Sequence, residues 1–141
     1  GNMDRDQQKK LSDDIKALTG GEGADVVYDP VGGDYAEPAL RATAWEGRYL
    51  VVGFAAGDIP KIPLNLALLK GCQIVGVFWG AFKGREVEAH NANVDELLKL
   101  YGDGHLKPHI SSIYSLEEGS KAISDLAERK ARGKVIVQVR E

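Results

Sequence analysis

Ala24-Asp25-Val26-Val27-Tyr28-Asp29 followed by Pro30-Val31-Gly32-Gly33-Asp34 is the stretch on which the fold turns. This short run, apolar and β-branched through Val26-Val27-Tyr28 and set between turn signals, reads as a strand buried on both faces, the mark of a parallel sheet. The proline and glycines break it, and Tyr35 to Trp45 reads as a helix with Pro38 in its first turn, where proline is tolerated. Arg48 to Gly53 repeats the strand pattern, Asn65 to Lys70 is a short helix closed by Gly71, and Gln73 to Trp79 is a third strand ended by Gly80.

Upstream, residues 4–19 form a helix whose apolar face is Leu11, Ile15 and Leu18. Thr19-Gly20-Gly21-Glu22-Gly23 stops it. Downstream, residues 85–101 make an amphipathic helix through Val87, Val94, Leu97, Leu98 and Tyr101, and residues 109–114 are extended. Ser115-Leu116-Glu117-Glu118 opens a helix running to about Ala131, with Ser115 as cap and Glu118 reaching back. Val135 to Val139 is a last strand. Strict alternation of helix and strand predicts an α/β protein with parallel strands.

The chain has 141 residues, enough for one ordinary domain. Eighteen Lys and Arg against 21 Asp and Glu leave −3, which argues against nucleic acid or an anionic membrane as partner. No apolar run reaches the ~18 residues of a membrane span, and no signal-peptide core leads the chain. One cysteine, Cys72, excludes an internal disulfide framework and a multi-thiolate zinc site, and it fits a reducing, cytoplasmic setting. Gly1-Asn2 ahead of Met3 reads as an expression scar and is set aside.

In open parallel sheets, ligands sit outside the carboxyl ends of the strands. Here those ends carry Asp29-Pro30-Val31-Gly32-Gly33, Gly53-Phe54-Ala55-Ala56-Gly57 and Gly80-Ala81-Phe82. Taken singly, such glycines make turns. Three exits combining glycine, small residues and an aromatic also suit a ligand crevice. Gly20-Gly21-Glu22-Gly23 is no phosphate loop, because it follows a helix and precedes a strand. Asp29 caps the next helix or bonds loop amides, with a ligand as the other use of its carboxylate. Cys72 reads as a small core residue, since no basic neighbour lowers its pKa. His105 and His109 are kept off a helix by Gly104 and Pro108 and read as solvated surface, and His90 lies on a polar helix face. Lys134 is a solvated strand-edge lysine or a point charge for a phosphate. No metal site and no catalytic dyad emerges.

Several stretches in order carry a resemblance. Leu18 to Gly33, Gly47 to Gly57, Asn65 to Gly71, Gly76 to Gly80, Tyr114 to Glu118 and Gly133 to Val137 together resemble the medium-chain dehydrogenase/reductase superfamily. Within it they are similar to the zinc-free, zeta-crystallin-like NADPH:quinone oxidoreductase branch. The resemblance implies a partial Rossmann fold whose strands correspond to 4-5-6 of a doubly wound 3-2-1-4-5-6 sheet, plus a C-terminal β-α-β tail. It divides the chain at residue 104: 1–104 as the C-terminal half of the dinucleotide-binding domain, and 105–141 as the tail that in the family returns to the catalytic domain.

Relative to that family the chain reads as truncated, without the N-terminal catalytic domain and the pyrophosphate loop. The resemblance implies NADPH as cofactor. Gly53, Phe54 and Ala55 would line the nicotinamide, Pro30 and Val31 the adenosine side, and Phe78, Trp79 and Gly80 the carboxamide. It implies no catalytic side chain. The chain is then a piece of a quinone oxidoreductase that supplies the nicotinamide side of the crevice. The alternative is a non-catalytic, dimerising α/β module with weak or no nucleotide binding. Strand 73–79 would be an outer strand without the Lys, Pro or bulge that guards an edge, and pairing with its own copy would cover it. Strand 25–29 would be left as an uncovered edge beside the absent N-terminal half.

Overall fold

The computed structural model describes residues 3–140, so Gly1-Asn2, expected above to be an expression scar, and Glu141 lie outside the described residues. The chain forms two compact units, one up to Arg85 and one from Glu86 onward. The seam precedes the helix that the sequence reading grouped with the first of its two parts.

The first unit opens with α1 (Arg5–Leu18). Asp4 caps it by accepting from the Gln7 amide at 2.8 Å, and the Gln7 side chain accepts from the Asp4 amide at 3.0 Å, so each satisfies an orphan donor. Thr19 closes it. Its hydroxyl donates to the Ile15 carbonyl at 2.9 Å and accepts from the Gly23 amide at 3.1 Å. The glycine run is therefore a helix terminus, as its position between helix and strand predicts. Leu18 does not belong to the packing face: it is 87% exposed, and the buried residue of α1 is Ser12. Gly23 enters the sheet at φ +94°, and a Cβ there would stand 2.4 Å from the Ala42 carbonyl oxygen, so only glycine admits this approach.

Three parallel strands follow in the order β1-β2-β3: β1 (Ala24–Asp29), β2 (Thr43–Val51) and β3 (Gln73–Gly76). A single 3₁₀ turn (Gly33–Tyr35) and α2 (Ala36–Arg41) join the first two, and α3 (Asn65–Lys70) precedes the third. One sheet face, through Val27, Tyr49 and Val51, packs on Ala36, Leu40 and Leu66 of the helices, with Cys72 against this core as a small packing residue. The other face is open: Val26 is half-exposed and Tyr28 is 65% exposed. The strand expected to be buried on both faces thus has one buried face, since helices cover only one side of it among the described residues.

Two boundaries differ from the sequence reading. The helix expected to reach Trp45 ends at Arg41, and β2 begins at Thr43. Thr43 is fully buried opposite Ala24, and the chain then bulges through Glu46 at φ +58° before pairing resumes at Arg48 and Val26. The bulge is held by the Glu46 amide on the Gly71 carbonyl at 2.9 Å, and the Trp45 ring lies over the bare backbone of Gly71. The strand expected over 73–79 stops at Gly76. Trp79 instead starts α4 (Trp79–Arg85), where its ring stacks on Phe82 one turn on, with centroids 5.0 Å apart.

Because β1 is an outer strand, its amides that point away from β2 have no strand partner among the described residues. Amide hydrogen exchange is expected to run at least about tenfold faster in 25–29 than in 48–51 in dilute solution. Equal protection would mean that the β1 edge is covered.

The second unit holds α5 (Val87–Gly102), then β4 (Ile110–Ser115), α6 (Gly119–Ala127) and β5 (Lys134–Gln138), with β4 and β5 parallel. This is the β-α-β tail expected from the sequence. The Tyr114 hydroxyl donates to the Asp125 carboxylate, which holds the phenol above and the carboxyl below their usual ranges. Helix α6 starts four residues after Ser115, and only half of the expected capping box forms: Glu118 accepts from the Ser115 amide at 3.4 Å. It ends at Ala127 rather than near 131, because Arg129 turns to φ +58° and the Lys130 amide bonds back to Asp125.

Candidate functional site

Parallel strands send all their carboxyl ends to one end of a sheet, so the exits of β1, β2 and β3 are neighbours. The first two are laced together through the backbone. The Val52 and Gly53 amides donate to the Asp29 carbonyl at 2.9 and 3.3 Å. The Ala55 amide donates to Pro30 at 3.1 Å and the Ala56 amide to Val31 at 2.9 Å. The third exit joins through the Val77 amide on the Val51 carbonyl at 2.9 Å.

Glycine permits the closeness of these loops. A Cβ at Gly32 would come 2.8 Å from the Phe54 ring, and one at Gly53 would come 3.2 Å from the Pro30 oxygen. Pro30, Val31, Gly53, Phe54 and Ala55 are therefore brought together. Phe78, Trp79 and Gly80 stand at the exit of the adjacent strand, with Trp79 and Gly80 inside α4 rather than at a strand end. The rings face outward: Phe54 is 40%, Phe78 79% and Trp79 48% exposed.

Asp29 does what its position at a strand end suggests. One carboxylate oxygen accepts from the Val31 and Gly32 amides, both at 2.8 Å, and pins the loop. The other accepts from the Tyr49 hydroxyl. Burial and then the Asp29 bond push the Tyr49 phenol well above the ordinary tyrosine range. Tyr49 was not legible as a site residue. It lies 20 positions from Asp29, and in a strand its aromatic ring reads as core.

The exits fit a flat, uncharged ring: outward aromatic rings, glycine backbone and no charged side chain among the eight residues. Among the described residues no group of three or more His, Cys, Asp or Glu is placed to hold a metal ion. His109 uses its carbonyl to accept from the Lys134 amide at 2.8 Å, and Lys134 thereby sits in the β5 ladder.

Comparison with known proteins gives a consistent picture. Residues 5–137 match the zinc-binding dehydrogenase family. The quinone oxidoreductase-like protein 2 homolog of Nematostella vectensis is 37% identical over 135 residues, covering 95% of this chain and 37% of that protein. A probable oxidoreductase from Mycobacterium abscessus superposes with a TM-score of 0.75 at 30% identity, covering 91% of this chain and 37% of the other. Mycobacterial Rv1454c complexed with NADPH superposes with a TM-score of 0.81 at 23% identity, over 94% of this chain and 41% of that one. The chain spans a little over a third of the length of the curated relatives it matches.

Proposed function

This chain belongs to the zinc-binding dehydrogenase family, as part of a medium-chain dehydrogenase/reductase of the quinone oxidoreductase branch, and we propose that its strand exits form the nicotinamide-side wall of an NADPH crevice. The observation that carries this is the lacing of the Pro30–Gly33 loop to Gly53–Ala56, which sets glycine backbone beside outward-facing rings. Gly53, Phe54 and Ala55 take the nicotinamide face, Pro30 and Val31 the adenosine side, and Phe78, Trp79 and Gly80 the carboxamide. The bound cofactor would supply hydride to a quinone. The residues of this chain would orient the ring and exclude water, with no side chain acting as acid or base. The choice of NADPH over NADH rests on the quinone oxidoreductase relatives. A single cysteine and no helix long and apolar enough to cross a membrane, among the described residues, support a cytoplasmic setting.

The pyrophosphate of a dinucleotide is normally held by a strand-to-helix turn of the pattern G-x-G-x-x-G, and that pattern does not occur in these 141 residues. The chain by itself is therefore expected to show no saturable NADPH binding at micromolar concentration and no quinone turnover. Cofactor fluorescence and a small benzoquinone check both. Micromolar saturation, or turnover, would overturn the division of labour between this wall and a separate pyrophosphate site.

We also propose a homodimer through β3. It is an outer strand, its Ile74 is half-exposed, and no Lys or Pro guards it. An antiparallel pair of β3 strands about a two-fold axis would make one sheet across two subunits. Val75→Lys with Val77→Lys is expected to give a monomer in sedimentation, still folded by circular dichroism. A wild-type chain that is monomeric at high concentration would contradict the pairing.

A further inference from the structure

Between α1 and α3, above α2, lies a cleft of about 750 Å³ whose charge is opposite in sign to that of the whole chain. The chain carries −3, whereas the cleft is lined by five cations and two anions. Its size falls in the range of small-molecule sites. Every lining residue belongs to the first unit, and none belongs to the strand exits.

The cations fall into two groups. Arg5 and Lys9 stand in the first half of α1. Lys16, Arg41 and Lys70 stand in the last turns of α1, α2 and α3, which all run toward the amino-terminal end of the strand that follows. Arg41 is neutralised by Glu37 at 2.6 Å. Among the described residues Arg5, Lys9, Lys16 and Lys70 have no ion pair.

Among the cleft's apolar lining residues Pro38 and Leu66 are buried and Leu69 is exposed, so Leu69 supplies the apolar surface. Asp13 stands on the α1 wall between Lys9 and Lys16, so the middle of the cleft disfavours a negative group while both ends favour one. At 1.5 Å rise per residue, Lys9 and Lys16 are about 10 Å apart along α1.

We propose that this cleft binds a small organic dianion whose two negative groups are separated by an apolar body. The ends pair with Lys9 and with Lys16 and Lys70, and the body lies along Leu69. Compact anions span only one group of cations, and long monoanions satisfy only one end.

The test is a titration of the ¹⁵N-labelled chain with sebacate, decanoate and pyrophosphate at constant ionic strength. Sebacate is expected to shift amides of α1 and α3 and to bind at least about tenfold more tightly than either other probe. Lys9→Gln and Lys16→Gln, at an exposed and a half-buried position of α1, are each expected to weaken sebacate severalfold with an unchanged circular dichroism spectrum. Equal affinity for sebacate and decanoate, tighter pyrophosphate binding, shifts confined to other elements, or indifference to both substitutions would overturn the proposal. So would no response to sebacate at millimolar concentration.

Discussion

Asp29→Ala is expected to cost about 4 kcal/mol, because it strands three donors at once. The Val31 and Gly32 amides lose their acceptor at 2.8 Å, and the buried Tyr49 hydroxyl loses its own. Partial exposure of Val31 gives some of this back to water. Asp29→Asn keeps an oxygen for the two amides and is expected to cost about 1 kcal/mol. Tyr49→Phe leaves one carboxylate oxygen unpaired, at about 2 kcal/mol. Urea denaturation checks the order Ala, Phe, Asn, and a loss below about 1 kcal/mol for Asp29→Ala would show that the loop holds without its clamp.

The same pair carries a pH dependence. The folded state holds the Tyr49 phenol above its unfolded value. As pH rises, the unfolded chain therefore ionises first, near the ordinary value of about 10. The contribution of the neutral phenol is complete below that pH and drains away above it. Tyr49→Phe should flatten the alkaline loss.

Leu40→Ala is the second large effect, at about 3 kcal/mol or more. Leu40 is fully buried at the centre of a core whose other buried members are Ala36, Tyr49 and Leu66. So few neighbours, two of them fixed in helix and strand backbone, cannot close over the vacated space. Leu40→Met nearly conserves volume and is expected to cost less than about 1.5 kcal/mol. If the alanine variant melts like the wild type, the packing of α2 on the sheet is not what holds the first unit together.

The parts of this fold that were legible in the sequence are those where local pattern and tertiary use agree. Ala24–Asp29 is apolar and β-branched through Val26-Val27-Tyr28 and fenced by glycine and proline, and it is a strand. Thr19–Gly23 is a terminus because it lies between helix and strand, and its hydrogen bonds show that. Three of the misreadings share one cause: large apolar side chains placed by something other than a periodic face. Trp45 extends the helical pattern of residues 35–41 but belongs to a bulge, where it covers the bare Gly71. Trp79 continues the apolar run of β3 but stacks on Phe82 inside a helix. Leu18 completes an i, i+4, i+7 face and is nevertheless exposed.

The candidate site was legible as a set of loops, since glycine after a strand is a local signal. The clamp that orders those loops was legible only in half. Asp29 announces itself by ending a strand, whereas Tyr49 acquires its role through the parallel register that brings β2 beside β1. The α1–α3 cleft depends on three helices meeting and has no local signature.

The proposal that the exits of β1, β2 and β3 form the surface that takes the nicotinamide is open to measurement on the chain itself. Amide chemical shifts of the ¹⁵N-labelled chain, followed while NADPH is raised to millimolar concentration, test it most directly. Weak, fast-exchange shifts concentrated in 30–33, 53–57 and 77–80 are expected. Shifts confined to the α1–α3 cleft or to the second unit, or no shifts at all, would contradict it.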